Sequence, residues 1–208
     1  MSKIDALIQK LCPDGVEYKC FDDACSLHAR IGWQRLTKAE YQSSGDYMLI
    51  TGTDFTPLYK INYKTCVYVS EERYIQDPKI QIRNGDILIT KDGTLGKVAQ
   101  VNDLQMPATL NGGVFVVRPK DNLLLPRFIM HYLLSEHFQG VVERQKTGST
   151  ISHLTQGLFS RLPIPVPPLE VQREIVRVLD AFTELTTELT TELTRRKRQY
   201  EYYRDKLL

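Results

Sequence analysis

The sequence predicts an α+β protein: a mixed, mainly antiparallel β body with helices, followed by one long C-terminal helix that forms a coiled coil. Three observations predict it. Short apolar runs bounded by Gly, Asn and Asp recur through the body, with few helical segments between them. Beyond Pro165, Pro167 and Pro168, the chain runs to Leu208 with no further Pro and no Gly. Within that run Val171, Ile175, Val178, Leu179, Phe182, Leu185, Leu189, Leu193, Tyr200, Tyr203 and Leu207 fall mostly three or four apart, one stripe along a helix. Such a helix is about 60 Å long. No single small domain covers a stripe of that length, so a partner helix is expected. The expected division is a body over residues 1–162 and a spacer helix over residues 163–208.

Taken in order, Ile4, Leu7, Ile8 and Leu11 make a short helix, ended by Pro13-Asp14-Gly15. Val16 to Phe21 reads as a strand and Asp22 to Ala29 as a helical turn. Gly32 to Ser44 is polar and aromatic. Tyr47 to Thr51 is a strand, followed by the turn Gly52 to Asp54, and Tyr59 to Ile61 and Cys66 to Val69 are further strand candidates. Asn84-Gly85-Asp86 is a turn. Ile87 to Thr90 is an apolar strand of the buried type, Lys91 to Lys97 a glycine-bearing loop, and Val98 to Val101 the returning strand. Together they read as a hairpin with a long, polar, basic tip. Asn111-Gly112-Gly113 is another turn before a strand at Val114 to Val117. Pro126 to Glu143 is a helix, and Gln145 to Ser152 a polar loop.

In the C-terminal helix Pro168 suits the first turn. Glu170 and Glu174 sit near the positive end of the dipole, and Arg195 to Arg198 come much later. Thr-Glu-Leu-Thr repeats perfectly at Thr183–Thr186, Thr187–Thr190 and Thr191–Thr194. A four-residue period drifts against the 3.6-residue turn and locally unwinds a supercoil. Each unit adds roughly 6 Å of rod, so the repeat suits a ruler; an ordinary coiled-coil spacer with slipped repeats has the same periodicity.

The segment Pro163 to Val176 (Pro-Ile-Pro-Val-Pro-Pro-Leu-Glu-Val-Gln-Arg-Glu-Ile-Val), these repeats, and Gln199 to Leu208 (Gln-Tyr-Glu-Tyr-Tyr-Arg-Asp-Lys-Leu-Leu) resemble the specificity subunit of type I restriction-modification enzymes. The resemblance covers essentially the whole chain, since the body resembles one target-recognition domain. It departs in length: family members usually carry two recognition domains and two spacer helices, and this chain has one of each.

Formal net charge is only +2, so the whole-chain charge does not announce a nucleic-acid binder. Arg195 to Lys206 holds six basic and two acidic side chains, a pattern that also suits a solvated helix face. Cys12, Cys20, Cys25 and Cys66 show no metal-ligand spacing and read as reduced thiols of a cytoplasmic protein. The N-terminus lacks the apolar core of a signal peptide, and no apolar run reaches membrane-spanning length, so no membrane partner is expected.

Catalytic patterns fail one by one. Gly93-Thr-Leu-Gly-Lys97 lacks the first Gly of a phosphate loop, where Lys91 stands, and Val98 replaces the Ser or Thr. There is no Gly-x-Gly-x-x-Gly unit and no Asn/Asp-Pro-Pro-aromatic motif of an amino-methyltransferase. His131 and His137 are six apart, off one helix face, and His28 and His153 are isolated. No catalytic residue, metal or cofactor is assigned.

Binding is better supported. Reading duplex DNA needs donors and acceptors at groove edges and cations on phosphates. One cluster has these residue types at Arg30, Trp33, Gln34, Arg35 and Lys38, a second at Lys91, Asp92, Thr94 and Lys97, a third at Lys146, Thr147, Ser149 and Thr150. Each residue alone equally suits a solvated loop, and Trp33 a core anchor. The resemblance implies double-stranded DNA as ligand. It also implies modification subunits that bring S-adenosylmethionine and restriction subunits that use ATP. Self-association is expected through Ile175, Val178, Leu179, Phe182, Leu185, Leu189, Leu193, Tyr200, Tyr203 and Leu207, giving a symmetric, interrupted target. A fragment pairing with a different half-subunit, or a coiled-coil adaptor or antirestriction decoy for the modification subunit, are the alternatives.

Overall fold

The structure, a computed structural model, describes residues 2–146 and 154–208, without the side chains of Trp33, Gln145 and Lys146. The elements begin with α1 (Lys3–Leu11), β1 (Tyr18–Cys20), α2 (Phe21–Ala24), β2 (Cys25–Ala29), β3 (Tyr47–Ile50), β4 (Val67–Val69), α3 (Glu71–Ile75) and β5 (Gln81–Ile82). They continue with β6 (Ile87–Thr90), β7 (Val98–Gln100), β8 (Ala108–Leu110), β9 (Val114–Pro119), α4 (Pro126–Leu134), α5 (Glu136–Lys146), α6 (Gln156–Phe159), β10 (Pro163–Pro165) and α7 (Leu169–Leu207).

The central sheet has the order β2-β9-β6-β7, antiparallel throughout. Its side chains alternate between two cores, as a pleated strand requires. Ile87, Ile89, Val98, Phe115 and Val117 pack on one face with Phe21, Phe128, Ile129, Leu133 and Phe138. Leu88, Ala99, Val114 and Val116 pack on the other with Met48, Ile50, Ala108 and Leu110. Burial on both faces is why Ile87 to Ile89 reads as a continuous apolar run. The second sheet, β4-β3-β8-β5, supplies that outer layer and holds one parallel pair, β3 with β8. The body is thus mixed and mainly antiparallel, as the sequence predicts.

Several local expectations are corrected. Helix is confined to Phe21–Ala24, and Cys25–Ala29 is a strand in which Cys25, Leu27 and Ala29 face the core with period two. The helix expected over Pro126 to Glu143 is two helices. Ser135 adopts extended backbone (ψ 150) and ends α4, and its Oγ accepts the Phe138 N–H at 3.3 Å to start α5. Tyr59 to Ile61 makes only isolated bridges, with Tyr59 at φ 58. The four cysteines are free thiols, and burial pushes those of Cys25 and Cys66 up to about 12. The loop expected over Gln145 to Ser152 lies largely outside the described residues.

The C-terminal helix leaves from inside the body. Pro163–Pro165 is a strand paired with β1, and α7 follows with Pro168 as its N-cap and not within its first turn. Buried Gln172 pins the start: its Nε2 donates to Leu123 O and Pro167 O at 2.8 and 2.7 Å, and its Oε1 accepts the Leu125 N–H at 2.8 Å. Glu174 accepts from Arg177 at 2.6 Å and from Lys3 Nζ of α1 at 2.9 Å. Those two cations hold its carboxyl down to about 2. Ile175 packs against the body core and Val178 is half-buried, so the first part of the expected seam is covered by the chain's own body. Past Asp180 the helix borders a cleft walled by Leu58, Tyr59 and Leu134 of the body, and its large side chains are exposed. Phe182, Leu189 and Tyr200 are 62, 62 and 66 % exposed.

The repeat threonines bond to their own helix. Thr183, Thr186, Thr187, Thr190, Thr191 and Thr194 each donate Oγ1–H to the carbonyl four residues back, at 2.8 to 2.9 Å. Their hydroxyls are thereby engaged locally.

Candidate nucleic-acid interface

The first cluster divides into an interior and a surface part. Arg30, just after β2, is 1 % exposed. Its Nε donates to Leu110 O at 3.0 Å, Nη1 to Gln76 Oε1 at 2.8 Å and Gln34 O at 3.3 Å, and Nη2 to Arg73 O at 3.0 Å and Thr109 Oγ1 at 3.2 Å. Burial first, then the neighbouring Arg73 charge, lowers its pKa. Arg30 is therefore a buried strut and not a DNA contact: its donors are all engaged inside. Gln34 is corrected likewise, since it is buried, with Nε2 on Asp77 Oδ2 at 3.4 Å and Oε1 accepting the Ile31 N–H at 3.3 Å. Arg35 and Lys38 remain exposed.

Those two meet the second cluster. Lys38 shares one cleft of about 530 Å³ with Asp92, Thr94 and Lys97 of the hairpin tip. Arg35 shares a neighbouring cleft of about 300 Å³ with Lys91 and Asp92. Asp92 borders both, so residues more than fifty positions apart in sequence form one surface. Within it Lys97 is exposed, while the Lys91 ammonium lies 5.3 Å over the Phe115 ring and is half-buried. The third cluster falls outside the described residues: Thr147, Ser149 and Thr150, the side chain of Lys146, and that of Trp33 in the first cluster. Leu154 borders the smaller cleft, and its N–H donates to Lys91 O at 3.1 Å.

Local chemistry fixes the loops that form the cleft. Thr90, buried at the end of β6, donates Oγ1–H to Thr94 O and accepts the Lys97 N–H at 2.9 Å, closing the tip on itself. Gly96 holds φ +78, and a Cβ there would stand 2.9 Å from Gln139 and 3.0 Å from Val142 of α5. Opposite, Asp54 accepts the Thr51 N–H at 2.8 Å and shapes the turn after β3. Gly52 lies so close to the hairpin that a Cβ would meet Thr90 Cγ2 at 2.6 Å. Asn111 donates to Tyr41 Oη at 2.5 Å and accepts the Gly113 N–H at 2.7 Å.

Sequence reasoning did not place Tyr41, Thr51, Thr53 and Asn111 here, yet they line the larger cleft. The available signal was the position of two turns, Gly52 to Asp54 and Asn111 to Gly113, each beside a buried strand end. The surface gathers ammonium, amide and hydroxyl donors with carboxylate and amide acceptors, on loops carried by a packed double sheet. That is the chemistry of base edges and phosphates. Among the described residues no group of three or more His, Cys, Asp or Glu is arranged to hold a metal ion. No helix among them is long and apolar enough to cross a membrane.

Residues 13–196 match the family model described as the type I restriction modification DNA specificity domain. The chain is 32 % identical over 145 residues to the type I restriction enzyme EcoR124I/EcoR124II specificity subunit of Escherichia coli, covering 67 % of this chain and 36 % of that one. It is 45 % identical over 106 residues to a putative type I restriction enzyme specificity subunit of Haemophilus influenzae, covering 47 % of this chain and 26 % of that one. The crystal structure of the HsdS subunit from Thermoanaerobacter tengcongensis has a similar fold, with TM-score 0.63 at 21 % identity, covering 90 % of this chain and 44 % of that one. A chain from a type I restriction–modification complex gives TM-score 0.63 at 23 % identity, over 92 % of this chain and 47 % of that one. The chain thus spans less than half the length of each of these relatives.

Proposed function

Because the chain belongs to the family of type I restriction modification DNA specificity domains, we propose that it is a non-catalytic DNA-recognition subunit holding one recognition domain and one spacer helix. The observation that carries this reading is the convergence of Arg35, Lys38, Lys91, Asp92, Thr94 and Lys97 on two adjoining clefts, with one long helix leaving the same body. The body reads half of a split target. Separate modification subunits supply S-adenosylmethionine and methylate adenine, and restriction subunits join through the complex with ATP.

Two copies pair through antiparallel C-terminal helices and place two identical recognition domains at the ends of a rod. An isologous pair has twofold symmetry, so the target is an interrupted palindrome. The exposed seam from Phe182 to Leu207 supports pairing, because a row of large apolar side chains in water calls for a partner surface.

The test is modified-base sequencing of DNA from cells that express this chain with its modification subunit. Methyladenine on both strands of an interrupted palindrome is the expected result. An asymmetric target points to a second, different half-subunit. No methylation, with the complex intact by pull-down, points to an adaptor or decoy and overturns the recognition reading.

A further inference from the structure

The larger cleft holds two chains of hydrogen bonds whose direction is fixed from inside the protein. In the first, the Gly113 N–H donates to Asn111 Oδ1 at 2.7 Å. A backbone N–H is a donor only, so the amide must turn its oxygen to it and its nitrogen away. Asn111 Nδ2 then donates to Tyr41 Oη at 2.5 Å, and the tyrosine oxygen accepts. The hydrogen of Tyr41 itself is left over: among the described residues no acceptor takes it. Tyr41 therefore borders the cleft as a donor.

The second chain ends with the opposite polarity. Buried Asp54 accepts the Thr51 N–H at 2.8 Å and the Thr51 hydroxyl at 2.9 Å on Oδ2, and the Thr65 hydroxyl at 2.8 Å on Oδ1. The single hydroxyl hydrogen of Thr51 is thereby engaged. Thr51 Oγ1 and Thr53 Oγ1 lie 2.6 Å apart, so the hydrogen between them belongs to Thr53. Turning it outward would set lone pairs against lone pairs at that distance. Thr53, exposed on the same cleft, therefore presents an acceptor.

We propose that Tyr41 and Thr53 determine sequence preference with opposite, fixed polarities. Tyr41 donates to a ring nitrogen or carbonyl of a base edge, and Thr53 accepts from an exocyclic amino group. Asn111 is a positioning residue that sets the direction of Tyr41. This rests on the recognition reading proposed above and deepens it by naming the readers. An acceptor has no partner on a phosphate, whose oxygens are acceptors too; the donors that DNA offers at its groove edges are exocyclic amino groups. Lys38 and Lys97, exposed at the same cleft, supply the cations for phosphates. The backbone under both readers is pinned. Gln42, next to Tyr41, bridges to Tyr68, and Gly52, next to Thr53, leaves no room for a Cβ against Thr90.

Duplexes randomised within one half-site, selected by the complex of this chain with its modification subunit, test the polarities. Tyr41→Phe deletes the donor and keeps the ring. Thr53→Val deletes the acceptor and keeps the shape. Each is expected to lose preference at one position of the half-site, by about fivefold or more, and to keep it at the others. Thr53→Ser retains the hydroxyl and is expected to retain the preference.

Asn111→Asp separates direction from mere contact. One carboxylate oxygen still accepts the Gly113 N–H, and the other now accepts the Tyr41 hydrogen, where the amide donated before. Tyr41 then presents lone pairs, so the base chosen at its position is expected to change to one that offers an amino group. Misfolding lowers the amount of active complex but does not choose another base. Loss of preference in Asn111→Asp without a new one overturns the assigned direction. Weakening of every duplex alike by Tyr41→Phe means a phosphate contact and also sinks the proposal. An unaltered complex that selects no sequence removes the recognition reading and this inference with it. An unaltered complex that selects one, with Tyr41→Phe, Thr53→Val and Asn111→Asp selecting the same, removes the polarities alone.

Discussion

His131 Nε2 lies 2.6 Å from Asp180 Oδ1, and Arg127 Nε donates to the same oxygen at 2.7 Å. This contact is where the helix leaves the body. It joins α4, which packs under the central sheet, to the last turn of α7 before the repeats. Removing the carboxylate in Asp180→Ala leaves a half-buried ring nitrogen and a guanidinium without their shared acceptor. A cost of about 1–3 kcal/mol is expected, measured by urea titration of the unaltered and variant chains. No change in midpoint would mean that Gln172, Glu174 and the packing of Ile175 hold the helix without this contact.

The same pair gives a pH dependence. Burial holds His131 below its usual value of 6.5, and the Asp180 carboxylate opposes that shift. Because the folded pKa is depressed, the unfolded chain takes the proton first as the pH falls. The stability from neutral His131 is present above about pH 6.5 and is lost as the pH falls through the lower folded value. Asp180→Asn removes the opposing charge, so the His131 ring should titrate lower still, read from its NMR shift. An upward move would show that the carboxylate does not act on this ring.

Arg30 is expected to matter for folding and not for DNA. Arg30→Ala abandons three buried carbonyls, Thr109 and Gln76, a loss of about 3 kcal/mol or more. Arg30→Lys should not restore it, because an ammonium cannot reproduce the forked donor set. Thermal unfolding of both variants decides this: unchanged melting with lost DNA binding would return Arg30 to the recognition surface.

That residue also shows what the sequence could and could not convey. The continuous apolar run of Ile87 to Ile89 and the stripe of α7 are local patterns, so the hairpin and the helix were legible. Whether a cation near a β end turns outward depends on which carbonyls surround it. Leu110 and Arg73, far from Arg30 in sequence, decided that. Asn111 joined the cleft through a parallel pairing of β3 with β8, which no local period reveals. The break at Ser135 was hidden because apolar spacing continues across it from Leu133 to Phe138.

Lys97 and Lys38 line the larger cleft and are exposed, whereas Lys91 rests on Phe115. Charge reversal at Lys97 or Lys38, assayed in the complex with the modification subunit, should weaken binding to specific and unrelated duplexes alike. Each lost phosphate contact should also reduce the salt slope by about 0.9. Lys91→Glu should cost stability as well, through the lost ring contact. Binding that ignores Lys97→Glu and Lys38→Glu would favour an adaptor that does not read DNA.

Deleting Thr187 to Thr190 removes one repeat, and with it Glu188 and Leu189. In an antiparallel pair the centre moves two residues toward each body, so the bodies approach by four residues of rise in total, about 6 Å. Duplex DNA rises about 3.4 Å per base pair, so the gap in the methylated target should shorten by about two base pairs. The half-sites should be unchanged, because the clefts lie on the body and the deletion does not touch them. Methylation mapping of the deletion variant reads both quantities at once. Altered half-sites with an unaltered gap would mean that the helix shapes the reading surface and does not measure distance.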